Sequence, residues 1–271
     1  MTFIRRFHPI HMLLHAVVAL SFLGLVASGM PLKYSQAPWA EWLMRLFGGF
    51  RNAGLVHRAC AVVTFGYFVS HLSYVIYDVA VVRRFRFNFL GPDSMVPNLK
   101  DLKDLYDNLK WFFGMGPRPV LDRWTYWEKF DYWAVFWGVG MIGVSGLVLW
   151  FPVFFGRFLP GWAFNIATVI HSDEALLAAG FIFTIHFFNT HMRPEKFPMD
   201  TVIFTGKITQ EEFRHERPLE YQRIVESSRL GDYETSPPTE AYLLASGLFG
   251  FTILGIGFVL LGLIIAGQFL Y

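Results

Sequence analysis

Residues 55–79, LVHRACAVVTFGYFVSHLSYVIYDV, decide the fold class. The stretch is apolar for longer than the roughly 20 residues a helix needs to cross a bilayer. Its charged side chains sit near its two ends, yet its body holds two histidines, His57 and His71. Further apolar stretches run over 11–30, 131–152, 163–190 and 241–270, which makes five candidate spans. Composition agrees: 54% of the 271 residues are apolar, 18% aromatic and only 16% charged, too apolar for an ordinary soluble domain of this size. The expected fold is all-α, an integral membrane helical bundle with a four-helix core and a fifth, C-terminal transmembrane helix. Residues 1–190 form the four-helix domain, with a polar loop at 80–130; 191–239 form a second polar loop and 240–271 the last helix.

The first span follows Arg5 and Arg6 as a signal peptide would. It carries His15 in its apolar body, however, and runs into Ser28-Gly29-Met30-Pro31, so it is read as retained. The single cysteine, Cys60, lies inside the second span, which excludes a disulfide framework, a CxxC metal site and CxxCH haem attachment. The formal charge of +2 hides an asymmetry: 18 of the 23 Lys and Arg residues fall in 1–10, 80–130 and 191–239. By the positive-inside rule the N-terminus and both long loops face the cytoplasm and the C-terminus faces outward, as expected in a bacterial inner membrane. The basic surplus reports topology and contact with lipid, not nucleic-acid binding.

Three connecting segments carry helical signals. Trp39, Trp42, Leu43 and Leu46 recur at helical spacing within 38–50, as in a short interfacial helix. Leu99, Leu102, Leu105 and Leu109 recur among Lys, Asp and Asn before Trp111-Phe112-Phe113, an amphipathic helix that lies on the membrane surface or docks a partner. Thr209-Gln210-Glu211-Glu212 is a capping-box pattern that starts a helix.

The chemistry lies in five histidines at membrane depth: His15, His57, His71, His171 and His186. Ionisable side chains in a bilayer are expensive and need a compensating interaction. Axial ligation of a haem iron supplies one. On an α-helix, His57 and His71 stand about 21 Å apart and within roughly 40° of one face; His171 and His186 stand about 22 Å apart and roughly 60° off one face. Two helices carrying such pairs clamp two stacked, non-covalent b haems, with His57 and His171 near the outer ends and His71 and His186 deeper. Gly54, Gly66, Gly138, Gly140, Gly143 and Gly146 let a flat macrocycle approach the backbone, or serve close helix packing. Arg58 beside His57 meets a haem propionate or snorkels to headgroups.

With these residues in view, the chain resembles the cytochrome b (gamma) subunit of membrane-bound formate dehydrogenases and its hydrogenase and thiosulfate-reductase relatives. The resemblance rests on Leu14-His15 with Ser28-Gly29, on Gly143-Val144-Ser145-Gly146-Leu147-Val148-Leu149-Trp150-Phe151-Pro152, and on the stretch from His171 through His186 to Arg193. It covers roughly residues 5–220; the span at 241–270 lies beyond the usual four-helix pattern. A second resemblance, carried by His57-Arg58, His71, His171 and His186, is to cytochrome b of the quinol:cytochrome c oxidoreductases. Both imply that His57 and His171 share the outer haem. The first pairs His186 with His15 at the inner haem, the second with His71, and five ligands for four positions also allow a third haem.

Bis-histidine ligation implies one-electron transfer without a catalytic side chain. The resemblance implies a quinone such as menaquinone as the membrane carrier, and a periplasmic multihaem cytochrome c or an iron–sulfur subunit as partner in a hetero-oligomeric complex. Candidate acid–base groups for the quinone are Glu128, Lys129, Asp131 and His191. Asp173 and Glu174, beside His171, read best as helix-capping acids. The competing classes are a histidine-relay proton channel or transporter and a membrane anchor without a redox role.

Overall fold

The structure, a computed structural model, describes residues 1–84 and 88–270; Arg86 of the basic loop and Tyr271 of the expected last helix lie outside the described residues. In order, the helices are α1 (Pro9–Lys33), α2 (Pro38–Leu46), α3 (Phe50–Tyr77), α4 (Leu99–Phe112), α5 (Tyr126–Trp150), α6 (Pro152–Phe155) and α7 (Gly161–Phe181). They continue with α8 (Val202–Thr205), α9 (Gln210–Glu216), α10 (Pro218–Glu226), α11 (Leu230–Tyr233) and α12 (Glu240–Leu270). Short strands are β1 (Phe3–Arg5), β2 (Lys207–Thr209) and β3 (Glu234–Thr235).

Among the described residues, five helices are long and apolar enough to cross a membrane: α1, Phe50–Val82, α5, Gly161–Met192 and α12. The protein is an all-α, multi-pass membrane bundle. In hydrocarbon every backbone N–H and C=O must be satisfied within the segment, so an apolar run of this length has the helix as its only unpaired solution. Most of these helices outrun their apolar stretch by a few residues at the polar ends. The third stops early: Phe151 leaves the helical region (φ −118°, ψ 56°) because the ring of Pro152 disfavours it at the preceding residue.

Contacts gather the chain into two compact units, one of residues 1–12, 74–134 and 201–246, the other of 13–73, 135–200 and 247–271. The second unit has a core of Leu23, Val26 and Met30 from α1, Ala179, Phe183 and Phe187 from the fourth span, and Ile253, Leu254, Leu260 and Ile264 from α12. The fifth span therefore packs beside the first and fourth. At the contact a Cβ on Gly257 would come 2.6 Å from the Phe187 ring, so only glycine admits that aromatic.

The first unit holds the antiparallel sheet, order β2-β1-β3, with Ile4 opposite Ile208 and Glu234. Beneath it Ile4, Val202, Ile208, Phe213 and Ile224 form a small core. Thr209 caps α9 by accepting from the Glu212 amide at 3.2 Å, as its pattern predicts. Ion pairs tie the segments together: buried Glu220 takes buried Arg6 at 3.0 Å and half-buried Arg123 at 2.7 Å, and Asp122 takes Arg223 at 2.6 Å nearer the surface. Burial lowers the Arg6 guanidinium to about 10 even with the Glu220 carboxylate beside it. At Arg217 burial pulls the same way, but the carboxylates of Glu128, Glu216 and Glu220 together outweigh it and hold the group above its ordinary value.

Candidate functional site

His57 on α3 and His171 on α7 face each other, ring centres 6.1 Å apart and planes at 68°. A different helix holds each ring. Ser28 of α1 sits 3.0 Å from His57 Nδ1 and donates its own proton to the Gly24 carbonyl at 2.5 Å. A hydroxyl has one proton, so with that proton on the Gly24 carbonyl the Ser28 oxygen accepts from His57 Nδ1–H. His171 Nδ1 lies 2.9 Å from the Ile142 carbonyl of α5, an acceptor only, and 3.5 Å from Ser145 Oγ, which donates to the Met141 carbonyl at 2.6 Å.

Both imidazoles therefore carry the proton on Nδ1 and keep the Nε2 lone pair. This is the tautomer a metal-ligating histidine needs, fixed here by the Ser28 hydroxyl and the Ile142 carbonyl on the other ring nitrogen. Space is arranged with equal symmetry. A Cβ on Gly29 would come 3.1 Å from His57 Cε1, and one on Gly146 would come 2.9 Å from His171 Cε1. One Ser-Gly pair on α1 and another on α5 thus each seat a histidine against a neighbouring backbone.

The donor set fits a haem: His57 and His171 would hold it, and it would supply one-electron transfer there. Among the described residues no group of three or more His, Cys, Asp or Glu is arranged to hold a metal ion; the donors found together here are imidazoles from facing helices.

A second group of histidines collects around His15. His186 and His191, both on the fourth span, lie near it. His191 is buried and accepts from the Asp200 amide at 3.3 Å. His71 stands edge-on to Phe136 of α5, ring centres 6.3 Å apart. The fourth span is not α-helical throughout: π-helical turns occupy Ile182–His186 and Phe188–Met192. A π turn takes an extra residue into one turn. It therefore winds His186 back toward the face of His171, reducing the offset of roughly 60° that an unbroken α-helix gives. Nothing in the local sequence marks these turns.

The other candidates are placed as follows. Arg58 donates to the Gly54 carbonyl at 3.1 Å and lies 5.9 Å over the Trp150 ring. Glu128 accepts both Arg217 nitrogens, at 3.0 and 2.9 Å, and caps Thr125. Lys129 pairs with Asp101 at 2.9 Å, both side chains buried. Glu128, Lys129 and Asp131 belong to the first unit; of the quinone candidates, only His191 shares a unit with His15 and His186.

The capping role expected for Asp173 and Glu174 is excluded, because α7 begins at Gly161 after Pro160 and both acids lie in its interior. Asp173 instead pairs with Lys33 at the end of α1 at 2.7 Å, and Glu174 accepts from the Trp137 indole at 3.3 Å. Both bonds join α7 to a helix that holds one of the histidines.

No family model and no curated protein matches the chain. The site's chemistry therefore stands on its own geometry.

Proposed function

We propose that the chain is the membrane cytochrome b subunit of a quinone-linked respiratory redox complex, holding two non-covalent b haems. The observation that carries this reading is the facing pair His57 and His171, each fixed as the Nδ1–H tautomer by a different helix. Bound between two histidines, a haem supplies one-electron transfer and offers no open iron position for oxygen chemistry.

The chain's own residues do the rest. Ser28 and the Ile142 carbonyl orient the outer ligands and raise their basicity. Gly29 and Gly146 let the rings sit deep against α1 and α5. At the inner site His186 pairs with His15, the histidine of α1 that lies near it. Of the candidates Glu128, Lys129, Asp131 and His191, His191 is the acid–base group for quinone nearest the inner ligands, since it alone shares their unit and Glu128 and Lys129 are committed to ion pairs. The basic segments orient the N-terminus and both long loops toward the cytoplasm. Electrons then pass between a periplasmic multihaem cytochrome c or iron–sulfur subunit and the quinone pool, in line with the resemblance to the formate dehydrogenase gamma subunits.

The test is the absorption spectrum and pyridine haemochrome of the chain purified from haem-replete cells, where a b-type spectrum with about two haems per chain is expected. A colourless, folded chain that conducts protons in vesicles would replace this reading with the histidine relay. A colourless chain that only retains partner subunits would make it an anchor.

A further inference from the structure

Helix α4 turns its charged side inward. Asp101 and Asp104 are 8% and 7% exposed, whereas Leu99, Phe112 and Phe113 are 84%, 76% and 68% exposed. The buried side is fully engaged: Asp101 accepts from its own N-cap amide at Asn98 (2.7 Å) and from Lys129 (2.9 Å), Asp104 pairs with Lys100, and Asn108 donates to the Tyr126 hydroxyl at 2.9 Å. Tyr126 and Lys129 belong to the opening turns of α5, itself one of the membrane-crossing helices. The polar face of α4 is thus bolted to the end of a span, and its apolar face is left outward.

That face is continuous. At 100° per residue, Leu99, Leu102, Leu105, Leu109, Phe112 and Phe113 cover an arc of roughly 140°. Lys103 and Lys110 border it on the Leu99 side, Lys110 lying 4.6 Å from the Tyr106 ring centre. At the C-terminal end the Arg118 guanidinium lies 5.6 Å over Trp111. An apolar arc bordered by lysines and finished by a tryptophan is the composition of a helix lying in a lipid interface, its cations drawn to acidic headgroups.

We infer that α4 is an interfacial helix that rests on the bilayer at the end of α5, its leucines and phenylalanines in the acyl boundary and its lysines on anionic headgroups. The occupant is lipid because the basic border complements acidic headgroups and because the helix is fastened to a membrane span.

The experiment uses the full chain with Cys60→Ser, spin-labelled in turn at Leu105→Cys, Leu109→Cys and Lys103→Cys, in nanodiscs of phosphatidylethanolamine with phosphatidylglycerol. Labels at 105 and 109 should collide several-fold more with dissolved oxygen than with a water-soluble nickel chelate, and the label at 103 should show the reverse. Replacing the phosphatidylglycerol by phosphatidylcholine should lower the oxygen preference at 105 and 109. Free access of the chelate to 105 and 109 overturns the inference. So does shielding from both reagents, which would mean that a second copy of the chain covers the face. An oxygen preference indifferent to the headgroup overturns the role of the lysines.

Discussion

His57 and His171 hold their ring centres 6.1 Å apart while the Nδ1 of each is hydrogen bonded to a separate helix, α1 for the first and α5 for the second. Four helices therefore meet on one pair of imidazoles. If that pair holds the outer haem, His57→Ala and His171→Ala should delete the same component from a potentiometric titration, each leaving about one haem per chain. Loss of different components in the two variants would separate the pair and sink the assignment.

The glycines beneath these rings differ in how much room they leave. An alanine methyl at position 146 would come 2.9 Å from His171 Cε1, closer than real contacts allow, while one at 29 would come 3.1 Å from His57 Cε1. Gly146→Ala must therefore move its ring, and Gly29→Ala needs only a small adjustment. Outer haem content should fall markedly in Gly146→Ala and much less in Gly29→Ala, with the inner component unchanged in both. Equal haem retention in both variants would show that the seats are not tight.

The spans were legible in the sequence because a bilayer permits no other backbone solution for a long apolar run. The histidines were legible because an ionisable group in such a run stands out. What supports them was not. Ser28 lies 29 residues from His57, and the Ile142 carbonyl 29 from His171, so their roles depend on which helix faces open toward each other. Glu128 and Lys129 read as open acid–base groups because their partners Arg217 and Asp101 lie 89 and 28 residues away. Asp173 and Glu174 read as capping acids because they follow His171 in a part of the chain with few acids, whereas α7 starts 12 residues before Asp173, at Gly161. Strands of three, three and two residues are too short to show alternation, and the π turns leave no compositional mark.

The ion pairs of the first unit make a prediction independent of haem. Glu220, 3% exposed, answers both Arg6 and Arg123. Removing it leaves buried guanidinium charge without a partner, a change that typically costs about 3–5 kcal/mol. Glu220→Ala should therefore lower the thermal midpoint of the purified chain clearly. Arg6→Met combined with Glu220→Leu should recover most of the loss, since no buried charge is then stranded at that pair. Thermal melts followed by circular dichroism decide it: a double variant as unstable as Glu220→Ala would show that the pair is needed for its geometry and not merely for mutual neutralisation.

The inner site divides His15 from His71. The structure brings His15 near His186 and His191, and sets His71 against Phe136. If His15 and His186 are the inner ligands, His15→Ala and His186→Ala should each abolish the inner haem and slow electron exchange with a soluble quinone analogue. His71→Ala should keep both haems. His191→Ala should also keep both haems while the pH dependence of quinone exchange changes, because its imidazole is then a proton donor beside the haem and not a ligand. Redox titration and stopped-flow exchange on the four variants separate the possibilities. Loss of the inner haem in His71→Ala with retention in His15→Ala would move the ligand to α3, a stoichiometry near three haems in the unmodified chain would make both histidines ligands, and an intact two-haem signal in His186→Ala would overturn the inner site altogether.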